Sequence, residues 1–85
     1  MSETSLIPFY DMNQFSIRWE KQQRYYLAHV FIDLLGDWSV TCTWGGKGSK
    51  LGNSRIYAFH EENAMRDFVE GIKKRRAFRG YKRLY

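Results

Sequence analysis

Metal binding and nucleophilic catalysis both need soft or titratable side chains at workable spacing. This 85-residue chain offers one cysteine, Cys42, and two histidines, His29 and His60, with no C-x-x-C or H-x-x-x-H pairing among them. No G-x-S-x-G elbow presents a serine to a base. Glu61 and Glu62 are adjacent, so on a helix they diverge by about 100° and cannot face one another as an acid–base pair. The residues therefore predict no enzyme, no metal and no cofactor.

The glycine-rich run Gly46-Lys47-Gly48-Ser49-Lys50-Leu51-Gly52 spells G-x-G-x-x-x-G, one residue off the dinucleotide fingerprint. A P-loop would need Ser or Thr after its lysine, and Lys50 is followed by Leu51. Both nucleotide motifs also need a helix straight after the loop, because its N-terminus holds the phosphate. Here the alternation of Arg55-Ile56-Tyr57-Ala58-Phe59 predicts a strand, so the run reads as a hairpin loop.

The same region carries a different chemistry. Trp44 opens the glycine run, and Lys47, Lys50 and Arg55 follow. Loop amides and cationic side chains suit phosphate oxygens, and an aromatic at the loop edge can stack on a base. Burial of Trp44 beside Trp38 and Val40 is the other reading of that side chain. A second basic run, Lys73, Lys74, Arg75, Arg76, Arg79, Lys82 and Arg83, has Phe78, Tyr81 and Tyr85 interleaved and no acid over residues 71–85. It can neutralise phosphates, or simply solvate a helix end.

These side chains must be positioned by a small set of elements. Phe15 to Glu20 alternates apolar and polar and predicts a strand, with Phe15, Ile17 and Trp19 on one face. Arg24 to Leu35 is rich in aromatic and β-branched residues and predicts a second. Gly36-Asp37 turns the chain into Trp38 to Trp44, the cleanest alternation present. After a loop over Gly45 to Ser54 and the strand Arg55 to Phe59, one helix runs from Glu61 to about Arg76. Ala64, Met65, Phe68, Val69 and Ile72 form its apolar stripe. Gly80 can end that segment, leaving Tyr81 to Tyr85 as a tail. The expected fold is α+β: a four-stranded, largely antiparallel sheet with one C-terminal helix packed on one face. Residues 1–12 form a lead segment and 13–85 a single domain.

Composition agrees with one small core. The chain is 44% hydrophobic and 18% aromatic, which argues against disorder. Its net charge of +5 is uneven. Residues 1–40 hold three basic and five acidic side chains; residues 41–85 hold eleven and four. A basic half favours a polyanionic partner, most often nucleic acid. The lone cysteine, the missing secretory leader and an apolar stretch too short to span a bilayer point to a cytoplasmic protein off the membrane.

Trp44-Gly45-Gly46-Lys47-Gly48, followed by Gly52 and Arg55, resembles a WGR domain. The resemblance runs from about Arg18 to Lys82. It includes Trp38-Ser39-Val40 before the motif, the strand-to-helix join from Phe59 to Phe68, and a basic helix ending in Gly80-Tyr81. The family includes a module of poly(ADP-ribose) polymerases that engages DNA at strand breaks, a domain of molybdate-metabolism regulators, and short stand-alone bacterial proteins. The resemblance implies a sheet with a helix packed on it and a DNA contact at Trp44. The motif's arginine falls on Gly46, which has no side chain to serve that role. Lys47 supplies a charge there without the planar donor fork. The expectation is a non-enzymatic nucleic-acid-binding module, DNA favoured, monomeric or a weak homodimer. The expected contacts are Trp44, Lys47, Lys50 and Arg55, extended by Lys73, Lys74, Arg76, Arg79 and Lys82. The alternative is a protein-interaction module.

Overall fold

The computed structural model describes residues 14–85, so the lead segment 1–12 lies outside the described residues. Five strands and one helix follow in the order β1 (Gln14–Lys21), β2 (Arg24–Ile32), β3 (Trp38–Gly46), β4 (Gly52–Phe59), α1 (Glu62–Phe78) and β5 (Lys82–Arg83). All neighbours pair antiparallel in the spatial order β4-β3-β2-β1-β5. Among the described residues, the α+β class and the one C-terminal helix agree with the sequence reading. The sheet has a fifth strand, because the residues read as a tail return to β1, with Trp19 opposite Arg83 and Glu20 opposite Lys82.

Alternation places the core. Ile17 and Trp19 of β1, Ala28 and Val30 of β2, and Val40 and Cys42 of β3 all point to one face and are buried there. Met65, Val69 and Ile72 of α1 close over them. Ala64 is exposed, so the helix stripe is narrower than its sequence suggested. Cys42 is 1% exposed, and burial pushes its thiol up, which makes it a packing residue. Among the described residues no helix is long and apolar enough to cross a membrane.

Two turns and a cap fix the ends. Asp33 accepts the Leu35 and Asp37 N–H groups at 2.9 and 3.0 Å, which stops β2 at Ile32 rather than Leu35. The glycine loop is only residues 47–51, because Gly45, Gly46 and Gly52 belong to strands. Gly45 and Gly52 are directly opposite each other, and the Tyr25 ring lies against both. A Cβ at Gly52 would sit 3.1 Å from the Tyr25 hydroxyl and 3.2 Å from the Trp44 carbonyl oxygen. Close approach therefore explains these glycines.

The helix ends in a Schellman motif. Gly80, at φ +85°, donates its N–H to the Ala77 carbonyl, and Tyr81 donates to that of Arg76. Lys21 caps the same end by donating to the Arg79 carbonyl at 2.6 Å.

Candidate functional site

The Schellman motif brings its own third-from-last residue, Arg76, against the residue just past the turn, Tyr81. An apolar contact usually forms there. In this chain it is a cation over a ring: the Arg76 guanidinium carbon lies 4.9 Å from the Tyr81 centroid and 4.3 Å from that of Tyr26. Tyr26 is in turn stacked on Trp44, with centroids 6.0 Å apart and planes 12° from parallel, and meets the edge of Trp19 at 6.0 Å. Burial first, and the neighbouring Cys42 thiol second, push the Tyr26 phenol far above its ordinary value, so it stays neutral.

Tyr26, Trp44, Arg76 and Tyr81 of this column line a half-open cleft of about 600 Å³. Trp44, Tyr57 and Tyr81 contribute ring faces or edges, Gly45 and Gly46 contribute backbone, and Arg24, Arg76 and Arg79 contribute charge. No acidic side chain is among the lining residues. A smaller depression shares Arg24, Arg79 and Tyr81 and adds Lys21, so the basic surface continues around the end of the sheet.

Arg76 is the unusual member. It is 9% exposed, and its Nε is sealed from solvent with no hydrogen-bond partner. Among the described residues no ion pair includes Arg76, Arg24 or Arg79. A buried cation without an anion is costly, and ring faces offset only part of that cost. The arrangement is suited to receive an anion joined to a planar, stackable group.

The structure gathers only part of the expected set. Trp44, Arg76 and Arg79 meet at the cleft. Arg76 does so as a buried side chain rather than as part of the exposed basic surface, because the helix's last buried position falls on it. Trp44 is half-buried, stacked on Tyr26 rather than packed beside Trp38 and Val40, and it lines the cleft. Lys47 turns to the β1–β2 turn, where its Nζ lies 2.8 Å from Glu20 and donates to the Gln22 carbonyl. Lys50 is exposed in the loop, and Arg55 is exposed on β4. Lys73 pairs with Glu70 at 2.8 Å, Lys74 projects from the helix, and Lys82 lies opposite Glu20 in β5. None of these six lines the cleft.

Sequence reasoning missed Tyr26, Tyr57 and Arg24, and named Tyr81 only as an aromatic within the basic run. A signal existed for Tyr26, which shares the inward face of Ala28 and Val30 yet carries a polar tip. Nothing local marked Arg24 or Tyr57, which come from different strands. No protein-family model, curated protein or solved structure matches this chain.

Proposed function

We propose that this protein is a non-enzymatic nucleic-acid-binding module, DNA favoured, of the WGR kind that its Trp44-Gly45 motif resembles. What carries the reading is the cleft itself: three arginines, one of them buried and without an ion pair among the described residues, beside aromatic faces and with no acid among the lining residues. Phosphate oxygens supply the anion that Arg76 lacks, and Arg24 and Arg79 hold the adjoining backbone. Trp44 and Tyr57 offer surface to a base or sugar. Gly45 and Gly46 let the backbone approach closely. Lys50, Lys74 and Lys21 raise the local potential and steer encounter without reading bases.

The test is a salt titration of binding to three labelled DNA ligands of equal length: blunt duplex, nicked duplex with a 5′-phosphate, and single strand. Affinity falls steeply with salt, and an Arg24→Gln, Arg79→Gln double variant flattens the slope by about two phosphate contacts. Absence of binding at about 50 mM salt, where screening is weak, overturns the reading and leaves a protein partner as the alternative.

A further inference from the structure

Among the described residues the strand order leaves β4 as one edge of the sheet, whereas the other edge is the two-residue β5. Edges are normally protected by proline, a bulge, clustered charge or shortness. β4 runs eight residues, pairs continuously with β3 from Gly52 to Phe59 without a bulge, contains no proline and carries one charge, Arg55. At its centre Ile56 is 67% exposed, on the face away from α1.

We propose that β4 pairs antiparallel with β4 of a second copy, about a two-fold axis at Ile56. The residues select both the partner and the register. A register centred on Arg55 would set arginine directly against arginine, which is unfavourable. A one-residue slip would flip the faces and place the two helices on opposite sides of the joined sheet. Centring on Tyr57 keeps only residues 55–59 in register. Centring on Ile56 pairs residues 53–59, sets Ile56 on itself, and places Arg55 opposite Tyr57 of the second copy, a cation beside a ring.

That register has a consequence for the cleft. Arg55 and Tyr57 lie opposite Cys42 and Val40 across β3, so both are on the helix face. Tyr57 is a wall of the cleft. Each copy therefore adds its Arg55 to the rim of the other copy's cleft, and both clefts open on the same side of one continuous sheet. The net charge of +5 on each copy opposes association, so salt strengthens the dimer while it weakens nucleic-acid binding.

Sedimentation velocity without nucleic acid tests this independently of the nucleic-acid reading. The mean mass climbs from 10.2 kDa toward twice that value as concentration rises from about 1 μM toward 1 mM, and climbs further at high salt. Ile56→Lys, which sets like charges on the axis at an exposed site, holds the protein at monomer mass with an unchanged circular dichroism spectrum. Under mild oxidation Ile56→Cys forms a disulfide-linked dimer, whereas Ser54→Cys, which that register sets opposite Ala58 of the second copy, does not. A monomer at every concentration overturns the proposal. So does a dimer that survives Ile56→Lys, or equal cross-linking of both cysteine variants.

Discussion

The guanidinium of Arg76 rests over the ring of Tyr26 at 4.3 Å, and that contact ties the last turn of α1 to the middle of the sheet. Tyr81 closes on the same guanidinium from beyond the helix cap. Helix end, strand and C-terminal segment thus converge on one cation. Its charge faces rings, and among the described residues no carboxylate pairs with it, so the convergence builds the fold around a cation without an anion.

Replacing Arg76 separates its packing from its charge. Arg76→Met keeps the packed stem and removes a buried charge that has no partner. Stability should hold or rise, as it does when buried ionic groups give way to apolar ones of similar size. Binding to DNA should fall tenfold or more, since charge-assisted hydrogen bonds to a phosphate are lost. Chemical denaturation and fluorescence anisotropy on the same samples check both.

Trp44 carries a divided cost. Trp44→Ala should lose on the order of 2 kcal/mol of stability, less than the 3–5 of a fully buried aromatic, because its ring is only half-buried. Its affinity loss, measured on protein that remains folded, should be tenfold or more, in line with stacking of about 1–3 kcal/mol per base. Trp44→Phe should recover most of the stability and part of the affinity.

Glu20 pairs with Arg18 at 3.0 Å, whose guanidinium also lies over Tyr25, and with Lys47 at 2.8 Å. Its carboxyl is held below the usual range by Lys47 first and Arg18 second. Glu20→Gln should free the Lys47 side chain to reach a phosphate beside the glycine loop. DNA affinity at low salt should rise several-fold, and the salt slope should steepen by about one contact. An unchanged slope would mean that Lys47 stays on the Gln22 carbonyl.

Gly52 is held small by its neighbours. Gly52→Ala should cost about 1–2 kcal/mol through overpacking against the Trp44 carbonyl and the Tyr25 hydroxyl. Adding Tyr25→Phe removes the hydroxyl and should return part of that loss. Denaturation midpoints of the single and double variants decide it.

His60 and Asp37 meet at 2.7 Å, joining the β2–β3 turn to the entrance of the helix. The hydrogen bond to Asp37 raises the imidazole above its ordinary 6.5. The stabilisation is therefore fully present below pH 6.5 and is lost as pH rises through the higher folded value. An imidazole chemical-shift titration should show a midpoint above 6.5 that drops toward it in Asp37→Asn. The melting difference between wild type and His60→Gln should shrink at high pH.

Much of the architecture was legible because it is periodic. The alternation in Phe15–Glu20 and Trp38–Trp44 gave strand faces that the core confirms at Ile17, Trp19, Val40 and Cys42. Boundaries were less legible, since Asp33 and the opposed glycines act through hydrogen bonds and close approach that composition does not show. The site was half legible. Trp44 and Arg79 stood out by type, but the use of Arg76 depended on which helix position turned inward.

By itself the sequence determined the α+β class, the strand succession, the helix and the concentration of charge in the second half, because these follow from local periodicity and composition. Only the tertiary structure decided that the last residues join the sheet as β5, that Arg76 is buried with no ion pair among the described residues, and that Arg24, Tyr26 and Tyr57 join Trp44 at one cleft. The physical reason is range. Alternation and capping act over a few residues, whereas a cation between Tyr26 and Tyr81 requires a hairpin strand, a helix end and a post-helix turn to arrive at the same place.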